Sequence, residues 1–251
     1  MSAFTIAARE LRAMFLSPLA WVIAAGLCFI VALLFLLNLD AYVATQGQMD
    51  VSRATVGATG RIGVPAISVA GFILMWVVPI LAMRTIAEER ARGTLNLLLA
   101  SPVTLTEIVV GKFLGLLVLL ELMLMVFVLM PLSLALGTTI DWGHLAAVTL
   151  GTGLQFAALA ALGIWCSSLT RTPAIAAVVG IVITLLLYLI DAGGQATGGV
   201  TEATRWLSLA AHGASFSEGR FSTTDVAYYL IVMFTFLTLT VRRLDADRLP
   251  H

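Results

Sequence analysis

Six long runs with almost no charge set the limits on what this chain can fold into. Leu19 to Leu39 carries no charged residue, and neither does Gly63 to Met83. Ile108 to Leu136 holds Lys112 near its start and Glu121 inside. Leu145 to Leu169 is uncharged, and the runs 174–190 and 226–241 are shorter. A bilayer core of about 30 Å takes about 20 residues of α-helix, so all six lie at or near spanning length. The alternation of a membrane β-barrel is missing from them. Over 251 residues, 60% are apolar and only 11% charged. A water-soluble domain of that length has too little interior to hide so much apolar surface. The chain therefore reads as an all-α integral membrane protein with six transmembrane helices, one membrane domain over residues 1–251.

Helix starts carry local marks. Ser17-Pro18 and Thr172-Pro173 each set a capping residue before a proline at the first helical position. Thr104 and Glu107 form a Thr-x-x-Glu capping box ahead of Ile108. Thr224 is placed to cap the sixth span, with Asp225 favourable to its dipole. Pro79 and Pro131 fall inside the second and third spans, as packing kinks or as gating hinges.

Basic residues set the orientation. Arg9, Arg12, Arg84, Arg90, Arg92, Lys112, Arg171, Arg242, Arg243 and Arg248 lie on one side, against Arg53, Arg61, Arg205 and Arg220 on the other. The excess makes the first side cytoplasmic, with both termini there. The first apolar run is too long for a cleavable signal peptide. Before it, Phe4, Ala8, Leu11 and Phe15 share one helical face and Arg9 and Arg12 the opposite side. Residues 1–17 thus read as an amphipathic helix lying in the membrane interface.

Between the second and third spans, residues 84–107 form a charged, leucine-rich connector on the cytoplasmic face. Glu88, Glu89, Arg90 and Arg92 make a dense mixed-charge patch, and Gly93 can end or bend the helix that carries them. Thr94 is then placed to cap a short helix from Leu95 to Ala100, stopped by Ser101-Pro102. Leu95, Leu98 and Leu99 share one face of it. Two turns of helix are unstable alone and must pack against something. That support is either a soluble partner or the chain's own spans.

This connector resembles the signature of ABC-2 permeases. The matching residues run in order: Glu88-Glu89-Arg90, Gly93-Thr94-Leu95, Leu97-Leu98-Leu99, Ser101-Pro102 and Ile108-Val109-Val110-Gly111-Lys112. Asn96 stands where an acid is common. Trp206 to Leu209, Phe216, Gly219, Asp225 to Tyr229 and Arg242-Arg243 are similar to the gliding-motility and nitrous-oxide-reductase-maturation branch. Arg9-Glu10-Leu11 with Phe15 and Ser17-Pro18 fits the same branch. The resemblance implies a bacterial inner-membrane permease subunit whose connector is a coupling helix, seated in a separate cytoplasmic ABC ATPase. It implies a dimer with a second copy or a paralogue, and leaves room for a periplasmic or membrane accessory protein. ATP and magnesium would be bound by the ATPase, and no cofactor by this chain.

The sequence agrees that this chain is not itself an ATPase. Its one Gly-Lys pair, Gly111-Lys112, is followed by Phe113 and lacks the earlier glycine of a phosphate loop. The histidines His144, His212 and His251 lie in different regions, and no nucleophile elbow is present, so no hydrolase centre forms. His212, alone in a loop, reads as solvated. Cys28 and Cys166 sit in apolar runs as core residues, Met123, Met125 and Met130 scatter around their helix as filler, and no metal site emerges. There is no basic block for nucleic acid. Glu121 is the one acid deep in a span. It lines a translocation path with Gln155, or carries a proton, or pairs with Gln155 or a hydroxyl at a helix contact. The outer loop 191–223 opens with flexible Gly193-Gly194 and Gly198-Gly199 and continues into a short amphipathic helix, Trp206 to Ala211. The resemblance makes this region re-entrant; the physical alternative is an interfacial belt anchored by Trp206. A second functional reading is a scaffold that transports nothing and relays ATPase motion to an extracytoplasmic partner.

Overall fold

The structure is a computed structural model describing residues 3–45, 57–94, 103–197 and 202–247. Among these residues the chain forms helices and no strand. They are α1 (Ala3–Phe15), α2 (Pro18–Thr45), α3 (Val64–Ala91), α4 (Leu105–Ser133), α5 (Trp142–Leu169), α6 (Pro173–Thr197), α7 (Glu202–Leu207), α8 (Leu209–Ser217) and α9 (Thr223–Ala246). A π-helical turn, Thr59–Gly63, leads into α3. Six of the helices, α2 to α6 and α9, are long and apolar enough to cross a membrane.

Several helices outrun the apolar runs that signal them. Helix α2 continues to Thr45, past the apolar run that ends at Leu39, and the turn at Thr59 brings Arg61 into helix. Helix α6 passes through Gly193 and Gly194 to Thr197, where a flexible loop was expected. A glycine weakens a helix by only about 1 kcal/mol, too little to stop one already propagating. Gly198 and Gly199 lie outside the described residues. Ser222, not Thr224, takes the cap position of α9 without a side-chain capping bond, and Asp225 in the first turn also meets another partner described below.

Helix α5 runs through the middle of the bundle with a nearly continuous buried stretch from Phe156 to Ile164. Small residues let its neighbours approach. A Cβ on Gly163 would come 2.5 Å from the Cβ of Ala82 in α3. The prolines are seated in the same manner: a Cβ on Gly180 would come 3.0 Å from Pro79, and one on Gly63 3.0 Å from Pro131. Without a hydrophobic drive between helices in lipid, such close contacts supply much of the packing energy.

Helix α1 crosses α4 at Gly111 and Gly115, a Gly-x-x-x-Gly spacing. A Cβ on Gly111 would stand 2.7 Å from Ile6, and one on Gly115 2.8 Å from Glu10. The buried face of α1 is therefore the one holding Ile6 and Glu10. Phe4, Ala8 and Phe15 point outward, Phe4 with 77% of its surface free. An apolar outer face and a helix pinned along α4 both fit an interfacial position.

Candidate functional site

Helix α3 carries the charged patch on its last two turns, with Arg92 at its C-cap, as expected of the helix that Gly93 ends. Arg84 donates to Glu88 at 2.8 Å and to the Ser17 hydroxyl at 3.1 Å, and Arg92 meets Glu88 at 2.5 Å. Arg90 reaches across to Asp247 at the end of α9, where Arg243 also stands 3.8 Å away. Glu89 turns inward. Its carboxylate takes Lys112 of α4 at 2.8 Å, and Arg9 of α1 lies 3.9 Å from it. Lys112 has no exposed surface; it also binds Glu10 at 3.3 Å and the Thr85 carbonyl at 2.7 Å.

A buried ammonium is tolerated only when its donors are all used, and here two carboxylates and a carbonyl do so. Burial pushes the Glu10 carboxyl above the usual carboxylate range, against the downward pull of Lys112. Gly111-Lys112 is thus a structural pair, glycine for α1 and lysine for the acids. Ser167 of α5 adds a tie. Its hydroxyl accepts from the Ile86 and Ala87 amides at 3.1 and 2.9 Å and donates to the Met83 carbonyl at 2.9 Å. Together these contacts bind α1, α3, α4, α5 and α9 into one block. Neither Ser167, Glu10 nor Asp247 was singled out as a site residue from sequence, because their partners lie far along the chain.

The chain leaves this block at a sharply defined point. Gly93 has φ +72, a left-handed value that favours glycine. Its amide donates to the Arg90 carbonyl at 3.2 Å and the Thr94 amide to Glu89 at 3.0 Å, the Schellman pattern. The Thr94 hydroxyl also donates to the Glu89 carbonyl at 3.2 Å, so Thr94 helps close α3; the short helix it is placed to cap lies outside the described residues. The chain returns at Thr104, whose hydroxyl accepts from the Glu107 amide at 3.3 Å while the Glu107 carboxylate accepts from the Thr104 amide at 3.0 Å. That capping box is the expected one. Leu95, Leu98, Leu99, Ser101 and Pro102 lie outside the described residues. Beside the exit runs a groove of about 370 Å³, lined by Glu10, Ser17, Arg84, Glu88, Glu89 and Thr94.

The opposite end is built around His212. Far from being solvated, it is buried. Its Nδ1 lies 2.6 Å from the Asp225 carboxylate and its Nε2 3.0 Å from the Trp206 carbonyl, and its ring stacks on Tyr228 at 4.0 Å. The helix expected over Trp206 to Ala211 is broken at Ser208, which caps α8 by accepting from the Ala211 amide at 3.2 Å. The Tyr228 hydroxyl donates to the Leu207 carbonyl at 2.9 Å. Phe216 of α8 lies against Gly151 of α5, where a Cβ would come within 2.3 Å of its ring. Gly151 is nine residues into α5, about 14 Å along the helix, so α8 reaches inward from the bundle's end.

Two hollows open at this end. One, of about 210 Å³, is lined by Ser68, Met75, Gln155, Tyr188, Gly213 and Ser217. The other, of about 340 Å³, lies between the π-helical turn and the start of α5 beside Asp141 and His144. Gln155 turns toward Met75, 3.8 Å from its sulfur. Glu121 is elsewhere, on the seam where α4 meets Gly153 of α5. The expected pairing of Glu121 with Gln155 therefore does not form; two residues along α5 from Gly153, Gln155 faces a different neighbour. Among the described residues, no group of three His, Cys, Asp or Glu could hold a metal ion.

A family profile described as "ABC-2 family transporter protein" matches residues 4–209, more than four fifths of the chain. No curated protein matches it.

Proposed function

This chain belongs to the ABC-2 transporter family, and we propose that it is the permease subunit that receives the stroke of a separate ABC ATPase through residues 94–103. The observation that carries this reading is the fixed root of that segment. A lever transmits force only if its attachment does not yield. Here the exit at Gly93 is closed by a Schellman turn, the return at Thr104 by a capping box, and Lys112 clamps the helices on both sides. In this reading the basic end faces the cytoplasm of a bacterium, and Leu95, Leu98 and Leu99 form the surface that the ATPase holds. Glu88 and Arg92 stand at the exit as its charged rim, while Glu89 serves the clamp. The permease works as a dimer with a second copy or a paralogue. The cargo's route passes the hollow at Gln155 between α3, α5 and α8. The finer likeness to the gliding-motility and nitrous-oxide-reductase-maturation branch rests on residues largely beyond Leu209.

The test is Leu98→Asp. It places a charge on the surface the ATPase would bury, which should weaken that contact at least tenfold. Insertion into membranes should be unchanged while co-purification of the ATPase is lost. Undiminished co-purification would overturn the coupling role.

A further inference from the structure

Glu121 occupies a place that the bundle itself does not explain. It lies halfway along the Leu105–Leu136 span, so it sits deep in hydrocarbon. It is half-buried, and its neighbours Leu122 and Met125 are exposed apolar residues of the lipid-facing side. No hydrogen bond or ion pair reaches it among the described residues. Its oxygens lie 3.0 Å from where a Cβ on Gly153 would stand, so the missing side chain at Gly153 leaves the carboxylate room against α5. Ala146, Thr149 and Gly153 continue a strip of small residues, open or half-open, along that side of α5.

A carboxyl at this depth is costly unless something pairs with it. Lipid tails cannot. A second copy of this chain is a poor match, since among the described residues its one lysine is consumed by Glu10 and Glu89 and no arginine lies midway along a span. A small cationic ligand would need a pocket, and Glu121 lines none of the three hollows described above. What fits an open seam is another helix. Small residues let a helix approach closely, and a polar group fixes its depth.

We propose that the Glu121 seam between α4 and α5 is a docking site for a transmembrane helix of a different polypeptide, one that carries a lysine or arginine near the middle of the bilayer. The cation pairs with Glu121, which fills the notch at Gly153, and the partner's backbone lies along Ala146 and Thr149. This needs the six-span placement but not the ATPase reading.

The experiment places a photo-crosslinking benzoylphenylalanine at Leu122 of the full-length chain in membranes of its native host. The expected product is an adduct with one transmembrane segment, mapped by mass spectrometry, that has Lys or Arg within one turn of the joined residue. Its yield should fall at least tenfold with Glu121→Leu. Glu121→Lys should recover it when the partner's cation is changed to Glu. In detergent, the isolated Glu121→Leu chain should melt at or above the wild-type temperature, because the carboxylate serves no contact within the chain. ATPase co-purification should persist, which separates this result from any failure of the coupling reading. Adducts with lipid alone, with a second copy, or with a segment lacking a cation would overturn the proposal. So would an unchanged yield in Glu121→Leu, or a lower melting temperature, which would return the carboxylate to the chain's own packing.

Discussion

At the basic end Lys112 is gripped by two carboxylates and a carbonyl from α1 and α3, whereas at the opposite end His212 is gripped by one carboxylate and one carbonyl from α9 and α7. The partners of Lys112 lie up to 102 residues away in sequence; those of His212 lie 6 and 13 away. The first cluster therefore staples distant parts of the bundle, and the second folds one stretch of chain back on itself. A push arriving at the basic end should move α1, α3 and α4 together. The short helices α7 and α8 are held to the head of α9 through His212 and Tyr228, while α8 also packs on α5 through Phe216 and His144 and meets α3 where Ser217 lies 3.3 Å from Ser68.

The most severe way to break this contrast is Lys112→Ala. It leaves Glu10 and Glu89 facing each other with no cation between them. Removing one member of a buried charge cluster costs about 3–5 kcal/mol. The variant should melt far below wild type in detergent and lose the close contact of α1 with α4, read as faster amide hydrogen exchange along α1. A melting temperature within a degree of wild type would mean that the cluster does not staple the bundle.

A smaller loss is expected from His212→Ala. It strands the Asp225 carboxylate in a mostly buried site and frees the Trp206 carbonyl, a loss of about 2–3 kcal/mol. The effect should be local. Hydrogen exchange should rise in α7, α8 and the first turn of α9 and stay unchanged around Lys112. Exchange rising equally at both ends would show that the two clusters are one unit, and the contrast would fail.

What could be read without coordinates followed the range of the interactions. The Thr104–Glu107 box and the turn at Gly93 are set by residues within five positions, so their residue types announce them. The spans are announced by length and hydropathy. Lys112 was visible as a basic residue in a signature, but its partners Glu10 and Glu89 were not, since nothing local links positions 10, 89 and 112. The Gly111–Gly115 spacing was a signal that could have placed α1 on α4. Ser167, one hydroxyl in an apolar run, gave no hint that it enters the hydrogen-bond ladder of α3. His212 reads as solvated from sequence because Asp225, 13 positions on, carries no local mark as its partner, and nothing in the residue types announces the break at Ser208 that aims the Trp206 carbonyl.

The gentlest probe of the same contrast is pH. Burial raises the Glu10 carboxyl above its ordinary value of 4.5. In the window from about 4.5 up to that raised value, the folded chain holds more protons on Glu10 than the unfolded chain does. Stability from this group must then fall as pH rises through the window, being fully present below it. Glu10→Gln removes the titration. The melting temperature of wild type relative to Glu10→Gln should therefore decline from pH 4.5 upward and level off once Glu10 is ionised in the fold. Such a decline arises only if the fold keeps Glu10 out of water strongly enough to outweigh the pull of Lys112. A flat difference would place Glu10 in solvent and separate α1 from the block at the basic end, whereas one that grows with pH would show the pull of Lys112 outweighing burial.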